Sequence, residues 1–122
     1  MEFISRIDVT TLSNPGVESH QLLSPHNSDA ESVTITRVKV QPGVTQPRHT
    51  HEGSEQIWCA LAGSGSFLLE GDKARRFTAG DVVRIEKGEV HGLYNDGEEC
   101  FEYVSVTTPP IDFGYAYKDR DK

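Results

Sequence analysis

The sequence predicts an all-β fold, a single-domain barrel or sandwich built from short strands. Apolar residues come in short runs, which glycine, proline, asparagine and aspartate interrupt about every eight to twelve residues. The periodicity of an amphipathic helix is nearly absent. The chain has 122 residues, enough for one domain with its own core, and we find no internal repeat.

Each strand is predicted from an apolar or β-branched run between two turn signals. The first follows the turn Asn14-Pro15-Gly16, and the second is rich in valine, isoleucine and threonine. The run that closes at Gly63 is apolar nearly throughout, and further turns are predicted at 70–73 and 95–97. The pattern predicts about nine strands, one of which contains His49. The other eight cover residues 17–23, 32–40, 56–62, 65–69, 74–78, 81–85, 90–94 and 99–106.

The predicted barrel core covers residues 33–107. Before it, residues 1–32 are predicted to form an N-terminal strand and loop that pack on the barrel. After it, Pro109 and Pro110 end the last strand, because proline cannot donate a ladder hydrogen bond. Residues 108–122 form a C-terminal tail, and we expect its charged end, 118–122, to be solvated and frayed.

Composition excludes two classes of partner. The net charge is −7 and no basic stripe exists, so a phosphate backbone would be repelled and a nucleic-acid partner is not expected. No apolar stretch approaches the length needed to cross a membrane. Cys59 and Cys100 lack a CxxC spacing and lie in apolar segments, which favours free thiols and a cytoplasmic location.

Three of the five histidines lie in two short segments. On a strand, His49 and His51 would point to the same face, about 6 to 7 Å apart, because strand side chains alternate. Such a pair can share one metal ion if the chain brings further ligands to it. His91 and Gln56 are the candidates for those ligands.

The two segments have recognisable patterns. Residues 42–63 read PGVTQPRHTHEGSEQIWCALAG, and residues 80–95 read GDVVRIEKGEVHGLYN. They resemble the two conserved motifs of the cupin superfamily, which are small double-stranded β-helix (jelly-roll) barrels. The resemblance covers roughly residues 38–106. It implies that His49, His51 and His91 bind a divalent transition metal ion, for which iron, manganese, nickel, zinc and copper are all candidates.

Gln56 and Glu55 compete for the fourth ligand position. The family pattern places an acidic ligand with six residues between it and the closing glycine, and counting back from Gly63 reaches Gln56. Strand alternation then places Gln56, Trp58 and Ala60 on the inner face. Glu55 is kept as the alternative ligand. With three neutral imidazoles and a neutral amide, a divalent metal keeps its full charge, so we expect an anionic ligand.

Other residues are assigned by strand parity. Trp58, Tyr103 and Phe101 are candidates for the wall of a substrate pocket. No general base is identified, and Glu55, Tyr103 and Glu102 are no more than candidates for one. The face opposite Trp58 is also apolar and carries Ile57, Cys59 and Leu61. Either the N-terminal strand folds over this face or a second copy of the chain covers it, and we favour a homodimer formed by packing of sheets.

Two functions are compatible with this pattern. The first is a metal-dependent enzyme, of oxygenase, isomerase or lyase type, that acts on a small anionic molecule. The alternative is a non-catalytic cupin that binds a small molecule as a sensor or carrier. The fold alone does not choose between them, because one fold hosts many reactions.

Overall fold

A computed structural model describes residues 1–121, and in them it contains eleven strands, two short 3-10 turns and no α-helix. Lys122, the last residue of the predicted tail, lies outside the described residues. The 3-10 turns are Arg6–Asp8 and Phe113–Ala116. The strands are β1 (Thr10–Asn14), β2 (Val17–Leu23), β3 (Thr34–Val40), β4 (Thr45–His49), β5 (Glu55–Ala62), β6 (Ser64–Leu68), β7 (Ala74–Thr78), β8 (Val82–Ile85), β9 (His91–Tyr94), β10 (Phe101–Thr108) and β11 (Asp119–Asp121).

The strands form two antiparallel sheets, as the all-β jelly-roll prediction requires. The larger sheet has the order β11-β1-β2-β3-β10-β5-β8, and the smaller has the order β4-β9-β6-β7. Trp58 on β5 contacts Phe67 on β6 edge to face, with ring centroids 5.4 Å apart. The core therefore lies between the two sheets. Its buried members include Val38, Val40, Phe67, Phe77, Leu93 and Phe101.

Side-chain parity on β5 agrees with the prediction. Gln56, Trp58 and Ala60 are buried, whereas Leu61 is exposed. This parity sends Gln56 and Trp58 into the space between the sheets. It matters for function, because the same strand also carries the competing residue Glu55.

The two ends of the chain differ from the prediction. Residues 118–122 were expected to be frayed, but β11 pairs with β1, which was not predicted as a strand. Main-chain hydrogen bonds make this pairing, and they do not depend on apolar side chains. Charged residues suit such an edge strand because they keep other chains from pairing with it.

Two sequence expectations concern the whole chain. No helix among residues 1–121 has the length and hydropathy to cross a bilayer. Cys59 and Cys100 are both free thiols, as predicted, and both are half-buried.

Candidate metal centre

A β-bulge brings two of the histidines together. In the pairing of β4 with β9, Pro47 and Arg48 lie opposite the single residue Gly92, so that His49 comes directly opposite His91. Bulges of this kind bend a strand and re-aim its side chains, often beside functional sites. The ring centroids of the two histidines are 4.2 Å apart.

Gly92 allows the two strands to approach this closely. A Cβ atom on Gly92 would lie 2.7 Å from the carbonyl oxygen of Gln46 and 3.0 Å from the backbone nitrogen of Arg48. Backbone atoms cannot move aside as a flexible side chain could. Glycine at this position is therefore part of how the fold places His91.

His51 reaches the cluster from a loop. β4 ends at His49, so the prediction of one strand carrying both histidines is wrong at its end. The loop is fixed instead by the turn at Gly88, whose backbone N–H donates to the carbonyl oxygen of His51 at 3.0 Å. Gly88 adopts a φ of +79°, in the left-handed region that glycine favours. The His51 ring lies 4.9 Å from that of His49.

The three imidazoles form one compact donor set. Their ligating nitrogen atoms all lie within 4.8 Å of one another, and no carboxylate or thiol from residues 1–121 belongs to the group. Exposure decreases from His49 through His51 to His91, which is 1% exposed. Neutral imidazoles at this spacing suit a first-row transition metal.

Hydrogen bonds determine which ring nitrogens are free. Nδ1 of His49 lies 2.8 Å from the carbonyl oxygen of Pro47, and Nδ1 of His91 lies 2.9 Å from that of Glu89. A carbonyl can only accept, so each Nδ1 carries the proton and each Nε2 presents a lone pair. Nε2 of His91 is buried and has no hydrogen-bond partner among residues 1–121. A metal ion would satisfy this orphaned atom, so the residues present fit the ion that the cupin resemblance implies.

The electrostatics of the cluster keep two of the rings neutral. Burial lowers the pKa of His91 to about 4, and the neighbouring His49 and His51 add to the effect against the opposing Glu89 carbonyl. Burial, followed by the charge of His49, lowers the pKa of His51 to about 4 as well. At neutral pH both rings are therefore ready to bind a cation without first losing a proton.

Gln56 and Glu55 have different surroundings. Gln56 is 4% exposed; its Nε2 donates to Thr107 Oγ1 at 2.9 Å, and its Oε1 accepts from Trp58 Nε1 at 3.1 Å. A carbonyl oxygen with one such bond keeps a second lone pair. Glu55 instead pairs with Arg84 on the neighbouring strand, at 2.8 Å.

A cavity of about 390 Å³ adjoins the histidines, and His49, His51 and Gln56 line it. Two of the three predicted wall residues, Trp58 and Tyr103, also line it and stack with ring centroids 4.1 Å apart. The third, Phe101, is not among the lining residues. It is fully buried in the core, where it contacts Phe77 and Tyr103.

The cavity carries little charge of its own. Among the described residues, no aspartate, glutamate or lysine lines it. Arg48 does line it, but its guanidinium donates to the carbonyl oxygens of Leu69 and Lys73, at 2.6 and 3.1 Å. An anion in this cavity would therefore depend on the metal for its counter-charge.

The three candidate bases are not positioned to take a proton in the cavity. Glu55 and Glu102 pair with arginines, and neither lines the cavity. Tyr103 does line it, but its hydroxyl donates to Gln46 Oε1 at 2.8 Å. Burial raises the pKa of Tyr103 well above its usual value, so the hydroxyl stays protonated.

Sequence reasoning missed the contribution of the C-terminal tail. Phe113, Tyr115 and Tyr117 line the cavity, and the Phe113 ring lies 5.9 Å from that of His51. Three aromatic residues within five positions of an otherwise polar tail were the available signal. The tail therefore forms a wall of the cavity, beyond its role in pairing with β1.

Comparison with known proteins identifies the family. The family model described as "Cupin domain" matches residues 36–107. A curated protein named "Oxalate-binding protein", from Thermotoga maritima, is 34% identical over 90 residues, which cover 74% of each chain.

Solved structures agree with the fold. A structure from Thermotoga maritima described as a "predicted oxalate decarboxylase" has a TM-score of 0.74 at 28% identity, covering 88% of this chain and 99% of that one. KdgF from Halomonas sp. has a TM-score of 0.76 at 21% identity, covering 91% and 97% of the two chains. The second likeness shows the fold alone.

Proposed function

Because the chain belongs to the cupin family, we propose that it binds one divalent transition metal ion through His49, His51 and His91 and a small carboxylate at that ion. One observation carries the proposal: the buried, unpartnered Nε2 of His91 lies in a compact group of three imidazoles. A buried nitrogen without a partner costs stability unless something binds it. Iron, manganese, nickel, zinc and copper all suit such a donor set.

Gln56 is proposed as the fourth ligand, in preference to Glu55. Its amide is oriented by Thr107 and Trp58, and its oxygen retains a free lone pair. Glu55 would have to leave Arg84 to reach the ion. A site of three imidazoles and an amide leaves the charge of the ion uncompensated, which favours an anionic ligand.

A carboxylate is the anion that the observations favour. Among the described residues, no acidic side chain lines the cavity to compete with a carboxylate, and the ion would supply the counter-charge. The likeness to a protein named for oxalate binding supports the same ligand class. When bound, the metal would supply Lewis-acid or redox chemistry to that carboxylate.

The choice between enzyme and carrier depends on proton transfer. Within residues 1–121 no candidate base is free in the cavity, since Glu55 and Glu102 are paired and Tyr103 stays protonated. A catalytic role would therefore need a proton donor or acceptor other than these three side chains, such as water; decarboxylation of oxalate, for example, consumes one proton at the carbon that becomes formate. Incubating metal-loaded protein with oxalate and measuring carbon dioxide and formate tests decarboxylation directly, and unchanged oxalate favours the carrier.

Metal analysis and thermal shift test the main proposal together. We expect stoichiometric metal in wild-type protein and its loss in His91→Asn. Oxalate should raise the melting temperature of metal-loaded wild type, while the neutral diamide oxamide should not. Wild-type protein that takes up none of the five metals, or equal shifts with both ligands, would overturn the proposal.

A homodimer is proposed from the outer face of the larger sheet. Val82 is 64% exposed and Leu61 is 50% exposed, and Val82 lies in register with Cys59 on the next strand. Apolar residues grouped on one sheet face are suited to a second copy of the chain. A cytoplasmic location is likewise proposed, because both cysteines are free thiols.

A further inference from the structure

The inner face of the larger sheet carries several buried polar side chains on β2, β3 and β10. Ser19 and Gln21 on β2, Thr36 on β3 and Ser105 on β10 are all buried. In the strand register, Gln21 lies opposite Thr36, and Thr36 lies opposite Ser105. A sheet face that packs in a core normally carries apolar residues here, because burying hydroxyl groups is costly.

The hydroxyl of Ser105 is buried without a partner in the part of the chain that the structure describes. The residue is 3% exposed, and its Oγ forms no hydrogen bond with any of these residues. Ser19, Thr36 and Ser105 all line the same cavity as His49 and His51. A buried hydroxyl that has no protein partner and lies beside a cavity is available to a polar group bound in that cavity.

The other residues that line the cavity limit which chemical group can bind beside Ser105. Trp58, opposite Ser105 in register, stacks on Tyr103 and gives a flat apolar wall. Arg48, the only arginine among the described residues that line the cavity, is held by backbone carbonyls, so a second carboxylate would be buried there without a counter-charge. A ligand hydroxyl both donates and accepts, as do the serine and threonine hydroxyls that would meet it.

We propose that Ser105 and Thr36 form a subsite for a neutral hydroxyl group of the ligand, which makes the ligand a hydroxylated monocarboxylate. This inference rests on the proposed function, since the carboxylate end binds at the metal. The cavity of about 390 Å³ is lined both by the histidines and by Ser105 and Thr36, so one ligand can contact both groups. Its volume falls within the range of small-molecule sites, about 300–1,000 Å³. The smallest dicarboxylates would leave the hydroxyl end without a partner.

Matched ligand pairs test the subsite. Calorimetric titration of metal-loaded protein compares gluconate with hexanoate and γ-hydroxybutyrate with butyrate. We expect at least one hydroxylated member to bind about threefold to tenfold more tightly than its partner, the usual net gain from a hydrogen bond. Ser105→Ala and Thr36→Val should each reduce that preference while leaving the affinity for the unhydroxylated acid unchanged.

Ser64→Ala is the matched control, because the Ser64 hydroxyl bonds to Thr78 and lies outside the cavity lining. This variant should keep the full preference. Ser105→Ala removes a hydroxyl that has no partner, so the metal-free variant should melt at or above the wild-type temperature. A lower melting temperature together with an unchanged preference would mean that a structural water satisfies Ser105, and it would overturn the proposal.

The outcomes separate this inference from the proposed function. Equal binding within both pairs, with oxalate still bound in a metal-dependent way, overturns the hydroxyl subsite alone. Failure of oxalate and all four monocarboxylates to bind metal-loaded protein overturns both.

Discussion

Replacing Gln56 with glutamate tests the charge of the metal site with almost no change in shape. The two side chains have nearly the same volume. Trp58 Nε1–H can donate to a carboxylate as it does to the amide, and the Thr107 hydroxyl can rotate from acceptor to donor. We therefore expect Gln56→Glu to fold and to bind metal.

The expected effect on anion binding follows from Coulomb's law. The added carboxylate lowers the summed charge of metal and ligands by one unit. Two unit charges about 4 Å apart interact by about 4 kcal/mol at an effective dielectric constant of ~20, and by about 1 kcal/mol in water. Oxalate should therefore bind from about fivefold to several hundredfold more weakly, at about 1.4 kcal/mol per factor of ten.

Calorimetric titration of oxalate into metal-loaded wild-type and variant protein measures this change. Oxamide, which is neutral, serves as the control ligand, and its weak binding should not change. Metal content is measured in the same samples. Wild-type affinity for oxalate in a variant that holds a full equivalent of metal would refute the charge argument.

Three other perturbations address the placement of His91, its protonation and the outer sheet face. Gly92→Ala should weaken metal binding about tenfold to a hundredfold by titration, because its Cβ would meet backbone atoms of β4, whereas Gly53→Ala has open space. Metal-free protein should lose stability to urea as pH falls, because unfolded His91 binds a proton near its ordinary pKa of 6.5 and folded His91 only near 4. Val82→Asp should convert a dimer into a monomer of 13.5 kDa in light scattering, because Val82 is 64% exposed on the outer face.

Each of these has a defined contrary result. Unchanged metal affinity in Gly92→Ala would show that β9 can move away from β4 without disturbing the cluster. The direction of the pH effect follows from proton binding, because below about pH 6.5 the unfolded state binds more protons than the folded state. Through His91, this difference lowers the free energy of unfolding by about 2 kcal/mol between about pH 7 and pH 5. His20 and His51 contribute in the same direction in both proteins. The free energy of unfolding of His91→Asn should therefore fall by about 2 kcal/mol less than that of the wild type over the same interval. Equal losses in the two proteins would contradict the assignment of this effect to His91. A monomeric wild type contradicts the dimer.

The sequence pattern predicts correctly those properties that depend only on residues close together in the chain. Alternation along β5 correctly placed Gln56 and Trp58 inside, because the side-chain period of a strand is independent of what it packs against. The same rule failed at His51, since it assumes that the strand continues. The turn at Gly88, far away in the chain, holds the His51 loop instead.

The sequence by itself determined the all-β class, most of the strands and the three histidines, because turn residues and hydrophobic period are local signals. Only the tertiary structure decided that a bulge opposite Gly92 aligns His49 with His91 and that Arg84 holds Glu55. The tertiary structure also decided that Phe113 in the C-terminal tail lines the cavity and that the buried sheet face around Ser105 is polar. These features are contacts between residues distant in the chain, and no local pattern encodes which strands become neighbours.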